Sequence, residues 1–296
     1  MRRRLKNWLI YHAIRMALFA VGLVPRRMTL AVGAGLGRLA HGLARGERAR
    51  ARRHLALALD LPESAARVRA LCRGVFVRLG QSAVEVCRVC RDPRLAPKVR
   101  IPDRSRAALD EALAGGRGVV FVTGHLGNWE IMAHHLASLG YPISTVAKES
   151  YDPRFTSLMD RFRGRSGVGV LYRGRPGNAV GMVRALREGS VLGLFIDQDT
   201  RVPGAFVPFF GRMAFTPVGA AVLALRTGAA VVVGSTRRLG NGSHLVEIEG
   251  LRIPADPEAA TASLTAVLER RIRRHPTQWV WFHERWKTRP PCEAGA

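Results

Sequence analysis

The sequence predicts an α/β fold in which a largely parallel central sheet is flanked by helices. Three observations carry this prediction. From residue 117 onward, short apolar runs typical of buried strands alternate with helical patterns. Residues 45–92 have helical patterns, and the chain begins with a basic and then apolar segment. The 296 residues, 47% of them hydrophobic, are sufficient for a sizeable core in one or two domains.

The N-terminal segment combines positive charge with an apolar stretch. MRRRLK precedes the apolar residues 8–24, and Pro-Arg-Arg follows at 25–27. His12 and Arg15 interrupt the stretch, no clear small-x-small cleavage site stands at its end before Pro25, and its length is at the lower limit for crossing a bilayer. We expect a membrane-embedded or interfacial helix whose basic flanks favour anionic lipid headgroups. A soluble amphipathic helix is the alternative.

Glycines recur in the next segment, at Gly33, Gly35 and Gly37. They do not form a dinucleotide-binding motif because no strand precedes them and their spacing differs. Small residues instead predict close packing against another helix. Together with residues 8–24, this segment is expected to form a hairpin that seats the protein on the membrane.

The remaining elements follow from periodicity and from Gly and Pro punctuation. Helices are expected at 45–92 with a new start at 62–64, and at 104–116, 129–139, 153–165, 178–188, 216–227 and 257–274. Strands are expected at 118–122, 142–147, 168–172, 190–196, 229–235 and 243–249, the last two joined as a hairpin through Asn241-Gly242. The predicted domains are 1–44 (membrane-associated helices), 45–103 (a helical subdomain packed on the core), 104–290 (the α/β core) and 291–296 (a tail).

The chain is strongly basic. Lys and Arg number 47 against 22 Asp and Glu, a formal net charge of +25. Such a charge indicates an anionic partner, either nucleic acid, an anionic membrane surface, or an acidic protein or ligand. The four cysteines (Cys72, Cys87, Cys90 and Cys292) include one Cys-x-x-Cys but no second pair to complete a zinc site. We therefore expect buried free thiols and a reducing compartment.

The most informative motif is TGHLGNWE at 123–130, placed between a predicted buried strand and a predicted helix. Ligands of α/β folds bind at this end of the strands. His125 is expected on the loop, where neutral imidazole is a suitable general base, and Glu130 in the first helical turn. A carboxylate bonded to the second ring nitrogen would fix the tautomer. The alternative is a helix-capping histidine and a solvated acid, but the flanking Gly124 and Gly127 favour chemistry.

Other polar and aromatic groups follow along the chain. Asp197 and Asp199 come directly after an apolar strand, which indicates a polar site, a bound cation, or an ordinary turn. Arg161, Arg163 and Arg165 lie near the end of one helix and suit a phosphate or a solvated face. VPFFG at 207–211 either lines an acyl-chain tunnel or closes the core. WVWFHERWK at 279–287 is either a membrane-interface segment or a buried last strand.

Four of these blocks, TGHLGNWE, FIDQD, VPFFG and QWVWFHERWKTRP, occur in an order and spacing that resemble the bacterial lipid A biosynthesis acyltransferases of the lysophospholipid acyltransferase superfamily. The resemblance implies a glycerolipid acyltransferase-like fold at the cytoplasmic face of the inner membrane. It implies acyl transfer from an acyl carrier protein or CoA thioester to a hydroxyl of a lipid A precursor. It implies no redox cofactor and no obligatory metal.

By the same resemblance, His125 is the general base and Glu130 its orienting partner, while Asn128, Arg165, Asp197 and Asp199 shape the substrate site. No Ser or Cys stands in the motif as a nucleophile, so no acyl-enzyme is expected. Acyl carrier protein is acidic, so the arginine excess offers it a landing surface. One departure is Lys148, at a position where many family members have Arg. It leaves the acceptor open to another glycolipid, an aminolipid or a lysophospholipid.

Two readings from other classes compete. A basic nucleic-acid-binding protein would fit the charge, but the arginines are scattered and no recognition motif is present, so we expect no nucleic-acid partner. A catalytically silent membrane scaffold would fit the N-terminus, but the His/Glu pair argues against it.

Overall fold

The computed structural model describes residues 24–150 and 152–290, together with Trp8, His12 and Met16. Apart from these three and Val24, the predicted membrane segment 8–24 lies outside the described residues. None of the helices within the described ranges is long and apolar enough to cross a bilayer. The predicted division into domains stays a prediction.

Nine helices are found in the described ranges, and most lie within a few residues of the predicted bounds. They are α1 (Arg26–Leu43), α2 (Arg45–Leu59), α3 (Ala66–Arg91), α4 (Asp103–Ala114), α5 (Trp129–Ser138), α6 (Pro153–Arg165), α7 (Asn178–Arg187), α8 (Gly219–Thr227) and α9 (Pro257–Arg274). Short 3₁₀ turns occupy Pro93–Leu95 and Pro276–Gln278.

A seven-stranded sheet forms the centre; the alternating pattern predicted six of its strands, and the short strand Val99–Arg100 was not expected. Its strands are β1 (Val99–Arg100), β2 (Val119–Thr123), β3 (Ile143–Ala147), β4 (Gly169–Tyr172), β5 (Val191–Phe195), β8 (Ala230–Arg238) and β9 (His244–Gly250). The spatial order is β1-β9-β8-β2-β5-β3-β4. Within it, only β8 and β9 pair antiparallel, through the predicted hairpin, and the other neighbours are parallel. The prediction of a largely parallel sheet is therefore confirmed.

Helices cover both faces of the sheet. On one face, Val120 and Val122 of β2 pack with Leu186 of α7, Ala221 of α8 and Leu264 of α9. The opposite face carries Val119 and Phe121, which pack against α4 and α5. Strand β2 is buried along its whole length because it has parallel neighbours on both sides and helices above and below. The loop that follows β2 is therefore held by the most rigid part of the fold.

The predicted close helix packing is confirmed at Gly33 and Gly37 but not at Gly35, where the space for a Cβ atom is open. Gly33 and Gly37 of α1 lie against α3, and a Cβ atom at Gly37 would collide with the carbonyl oxygen of Phe76. Gly80 on α3 is equally close to Gly33. Glycine on both helices removes the side chains that would separate the backbones. Helix α1 thereby becomes a fixed part of the described structure.

The region around VPFFG differs from the expected loop. Residues Gly204–Phe209 and Arg212–Pro217 form an antiparallel hairpin, β6 and β7, and the helix expected from 216 begins only at Gly219. The turn uses Phe210 and Gly211, both with positive φ. Phe209 and Phe210 are buried against Trp279 and Trp281, so this block closes the core.

The C-terminal aromatic segment is neither a regular strand nor an exposed surface. Trp279 and Trp281 are almost completely buried, and one isolated bridge joins Trp279 to Leu126. Their burial removes these two indoles from any membrane interface. Cys72, Cys87 and Cys90 are free thiols, as expected; burial raises the pKa of Cys72 to about 11 and also raises that of Cys90 to about 12.

Candidate active site

The register of two central strands brings His125 and Asp197 together. Strands β2 and β5 are parallel neighbours in which Thr123 pairs with Phe195. Beyond these paired ends, the second residue after β2 is His125 and the second residue after β5 is Asp197. Carboxyl ends of parallel strands meet at one edge of the sheet, and the two side chains meet there.

Asp197 holds the histidine by both its ring and its backbone. His125 Nδ1 lies 2.9 Å from Asp197 Oδ1, and the backbone N–H of His125 donates to Oδ2 at 2.6 Å. The indole N–H of Trp279 donates to the same Oδ2 at 2.8 Å. Because a carboxylate only accepts, the ring proton is on Nδ1 and the lone pair is on Nε2.

Asp197 remains ionised in this environment. Burial favours its neutral form, but the adjacent His125 and the N–H donors of His125 and Trp279 outweigh burial and lower the Asp197 pKa to about 2. The carboxylate side chain is 1% exposed and the imidazole 21% exposed. The arrangement therefore presents a fixed imidazole whose second nitrogen, Nε2, is directed away from the carboxylate.

Glu130 does not bond His125 in this structure, contrary to the expected pairing. It lies in the first turn of α5 and forms a two-contact ion pair with Arg163 of α6, with Nη2–Oε1 at 2.5 Å and Nε–Oε2 at 3.2 Å. Both side chains are mostly buried. The carboxylate that fixes the tautomer is Asp197, because the register between β2 and β5 positions it at the ring.

Asn128 holds the turn of the motif. Its side-chain oxygen caps α5 by accepting from the backbone N–H of Ile131 at 3.4 Å. Its amide nitrogen donates to the carbonyl of Ser82 and to the carboxylate of Glu85. Asn128 is 2% exposed, so it acts on the loop conformation and is shielded from solvent.

Glu85 anchors this turn to the hairpin of β8 and β9. Its carboxylate takes two hydrogen bonds from Arg238 and one from His244, at 2.5–2.9 Å. Burial would raise its pKa, but the bonds and charges of His244 and Arg238 lower it to about 2. Arg26 at the start of α1 also bonds Glu85, at 3.0 Å. A buried carboxylate thus connects α1, α3, the sheet and the motif loop.

Gly127 is required by the backbone. Its φ is +69°, a conformation that glycine adopts at little cost. A Cβ atom there would collide with the carbonyl oxygen of Thr236 on β8. At Gly124, a Cβ atom would stand 3.0 Å from Asp197 Oδ2. The two glycines flanking His125 therefore let the loop pass close to the neighbouring strands.

A cavity of about 760 Å³ opens beside His125. Its walls come mainly from β3, β5, α6, α7 and α8 and are largely apolar, with Val146, Phe155, Met159, Met182, Leu194, Phe195 and Leu223 among them. Lys148, Arg163 and Arg173 contribute positive charge. Trp129 and Phe195 flank the imidazole, with ring centroids 4.8 and 4.6 Å from it. The cavity suits an apolar chain that ends in a polar or anionic group.

Arg165 and Asp199 take other places than expected. Arg165 donates to the carbonyl of Cys90 at an exposed position, and Arg163, one helical half-turn earlier, is the arginine that lines the cavity. Asp199 fixes the C-terminal segment, since its carboxylate accepts from the backbone N–H of Thr288 and its carbonyl from Lys287. Within the described residues, no group of three or more His, Cys, Asp or Glu could hold a metal ion.

Sequence reasoning did not single out Gln198, Trp279 or His283, which complete the surroundings of His125. Gln198 Nε2 lies 3.1 and 3.2 Å from the two ring nitrogens of His125 and also contacts His283 Nε2. Gln198 stands between two recognised carboxylates in FIDQD, and that position was its available signal. Trp279 and His283 lie in an irregular segment, and which residues they contact depends on the tertiary fold.

Comparison with known proteins gives consistent matches. The family described as bacterial lipid A biosynthesis acyltransferase matches residues 1–288. The lipid A biosynthesis palmitoleoyltransferase of Escherichia coli is 32% identical over 63% of this chain and 61% of its own length. The lipid A biosynthesis lauroyltransferase of the same organism is 27% identical over 96% of this chain and 93% of its own. The phosphatidylinositol mannoside acyltransferase of Mycobacterium tuberculosis is 33% identical over 60% and 57%, respectively.

Proposed function

Because the chain belongs to the bacterial lipid A biosynthesis acyltransferase family, we propose that it transfers a fatty acyl group from a thioester to a hydroxyl of a lipid A precursor. The observation that carries the proposal is the His125–Asp197 pair at the mouth of a largely apolar cavity. A lipid hydroxyl needs a base near neutral pH, and an acyl chain needs an apolar wall.

His125 is the general base of the proposed reaction. Its Nε2 accepts the proton of the acceptor hydroxyl while Asp197 stabilises the imidazolium that forms. The acceptor oxygen attacks the thioester carbonyl directly, without an acyl-enzyme, and the protonated imidazole then returns its proton to the leaving thiolate. Arg163 forms part of the cavity wall, and its ion pair with Glu130 holds it there. Neither a redox cofactor nor a metal ion is part of this scheme.

The proposed donor is acyl carrier protein, with CoA as the alternative carrier. A net charge of +25 favours encounter with an acidic protein and with a phosphorylated lipid. Within the described residues, Lys148 and Arg173 line the cavity and have no carboxylate within ion-pair distance. Their charge is available to a phosphate on either substrate.

The proposed location is the cytoplasmic face of the inner membrane. Helix α1 exposes a row of apolar side chains at helical spacing, namely Met28, Val32, Leu36, Leu39 and Leu43, each more than half exposed. Monomeric soluble proteins rarely expose such a continuous row. Arg27 and Arg45 lie on either side of it in the sequence, and Arg38 lies within the same helix. An apolar row with basic neighbours suits an anionic lipid surface.

Phosphatidylinositol mannoside is the second candidate acceptor. The similarity to the mycobacterial acyltransferase that carries this name favours it, and Lys148 replaces the arginine found in many family members. The catalytic scheme is the same for both acceptors, since each offers a hydroxyl on a phosphorylated glycolipid.

Transfer of a labelled acyl group tests the proposal. Membranes that contain the wild type or His125→Ala would be incubated with acyl carrier protein thioester and a tetra-acylated lipid A precursor. A parallel incubation would use a phosphatidylinositol mannoside. We expect a labelled lipid A product whose rate of formation falls on the order of 10²–10⁴-fold in His125→Ala. Labelling of the mannoside alone would identify the phosphatidylinositol mannoside as the acceptor in place of the lipid A precursor. Equal activity of both proteins would contradict the role of His125.

A further inference from the structure

Two imidazole rings flank a single carboxamide beside the cavity. The ring centroids of His125 and His283 are 5.6 Å apart. The amide nitrogen of Gln198 contacts both rings, at 3.1 and 3.2 Å from the nitrogens of His125 and at short range from Nε2 of His283. His125 and Gln198 line the cavity, whereas His283 is outside its lining and contacts the amide nitrogen of Gln198. No step of the proposed acyl transfer has yet used Gln198 or His283.

The hydrogen-bonding requirements fix the roles of these groups. Nδ1 of His125 donates to Asp197, so in the neutral ring Nε2 carries the lone pair. The Gln198 amide nitrogen is nearly equidistant from the two ring nitrogens, so it lies over the face of the ring and leaves the lone pair of Nε2 open to the acceptor hydroxyl. The same nitrogen contacts Nε2 of His283, to which it donates one N–H. Burial and the nearby His125 lower the pKa of His283 to about 4, so His283 is a neutral acceptor at physiological pH.

The reaction also needs a donor for the oxyanion, and the backbone N–H groups of residues 125–127 do not supply it. The N–H of His125 donates to Asp197, that of Leu126 to the carbonyl of Gly124, and that of Gly127 to the carbonyl of Gln278. All three amides of this turn are therefore engaged. A donor for the oxyanion therefore has to come from outside residues 125–127.

The Gln198 amide is close enough to serve. An acceptor hydroxyl must lie within about 3 Å of His125 Nε2 to be deprotonated. The developing oxyanion is bonded to the carbon that this hydroxyl oxygen attacks, so it lies next to the same nitrogen. A donor 3.2 Å from Nε2 is therefore within reach of it. Preorganised N–H donors at such a position give one of the largest contributions to acyl-transfer catalysis.

We propose that Gln198 donates an amide N–H to the thioester carbonyl oxygen as it becomes an oxyanion, and that His283 holds the carboxamide by accepting the second N–H. This inference rests on the proposed acyl transfer. When the acceptor hydroxyl is bound at Nε2 of His125, the amide N–H that faced the His125 ring donates its hydrogen bond to the carbonyl oxygen. Gln198 is thus a catalytic residue, and His283 is a positioning residue that acts through it.

The electron and proton movements balance. The hydroxyl oxygen bonds to the thioester carbon, its proton moves to Nε2 of His125, and the carbonyl π pair moves to the oxygen that Gln198 binds. The pair then re-forms the carbonyl, the carbon–sulfur bond breaks, and the thiolate takes the proton from His125. Gln198 and His283 keep their own protons throughout.

A double-mutant cycle with Gln198→Leu and His283→Ala tests the proposal on whichever acceptor the wild type acylates. We expect Gln198→Leu to lower kcat by about 10²–10³-fold with KM changed less than threefold, the usual cost of one oxyanion donor. His283→Ala should lower kcat by about tenfold. The same change in the Gln198→Leu background should not lower kcat further, because His283 acts on the reaction only through Gln198. His283→Gln, whose side-chain oxygen can accept the amide N–H, should recover most of the activity.

Two results would overturn the inference. One is a Gln198→Leu enzyme with kcat within threefold of the wild type. The other is a loss of kcat on His283→Ala that is equally large in the wild type and in Gln198→Leu. Circular dichroism and the Tm of each variant identify any loss of folding, and Gln198→Glu, which has no N–H donor, gives a second measure with the original side-chain size. If His125→Ala is inactive while Gln198→Leu is active, the proposed function stands and this inference fails; an active His125→Ala contradicts the proposed function itself.

Discussion

Replacing Asp197 with Asn should reverse the tautomer of His125. Oδ2 of Asp197 accepts two N–H groups, from the backbone of His125 and from the indole of Trp279. In Asp197→Asn, the side-chain oxygen must take that position because an NH₂ group there would face two donors. The NH₂ group then faces Nδ1 of His125, which becomes the acceptor. The ring proton moves to Nε2, where the base requires its lone pair.

The expected loss follows from this change. A base whose proton is on the wrong nitrogen loses most of its contribution, which is about 10²–10⁴-fold in rate or about 3–5 kcal/mol of transition-state stabilisation. Initial rates of acyl transfer at neutral pH measure it. Asp110→Asn makes the same chemical change at an exposed hydrogen bond to Tyr141 and should leave the rate unchanged. A folded Asp197→Asn enzyme that retains a third of the wild-type rate would refute the reasoning.

The remaining predictions concern stability. Glu130→Gln and Arg163→Met should each lower the free energy of unfolding, because each single change leaves one mostly buried charge without its counter-charge. The double variant should lose less than the sum of the two single losses. Additive losses in urea unfolding would contradict this. Gly127→Ala should lower the free energy of unfolding by about 2–5 kcal/mol because of its positive φ and a collision with β8, whereas Gly115→Ala, at helical φ with an open neighbourhood, should be close to neutral. The lowered pKa of Glu85 contributes stability above about pH 4.5, and up to about 3 kcal/mol of it is lost as pH falls toward 2; the acid limb of a stability–pH curve should therefore be flatter in Glu85→Gln.

Periodicity was sufficient for the sheet because the strands are short, strongly apolar and separated by helices. Residues 153–165 and 257–274 were predicted with the bounds that the structure has. It failed at β6 and β7, where Pro208 and the two phenylalanines at 209–210 gave no alternating pattern. Burial alternates along this hairpin, but its more exposed positions, Pro208, Met213 and Phe215, are apolar as well. The sequence therefore lacks the apolar–polar alternation of a half-buried strand.

The position of the site followed from the sequence, but its internal pairing did not. The sequence placed a histidine after one apolar strand and two carboxylates after another, and the structure brings His125 and Asp197 to the same edge of the sheet. Which carboxylate reaches the ring depends on the register between β2 and β5 and on the direction of α5. These features placed Asp197 at the imidazole and turned Glu130 toward Arg163. They belong to tertiary structure, and residue spacing alone does not report them.

The C-terminal segment is a second case in which the contacts of a residue could not be predicted from the sequence. Two tryptophans among charged residues are typical both of membrane interfaces and of buried irregular chain. Packing against Phe209 and Phe210 places Trp279 and Trp281 in the core. The indole of Trp279 then becomes a donor to Asp197, so a residue some 80 positions away in the chain supports the candidate base.

The most direct test of the central claim is the rate of labelled acyl transfer by purified wild type and His125→Asn in vesicles that contain the acceptor. Asn preserves a polar side chain on the loop but provides no base. If His125 is the general base, the rate of His125→Asn should be at least about 10²-fold lower with an unchanged Tm. A rate within threefold of the wild type would contradict the account.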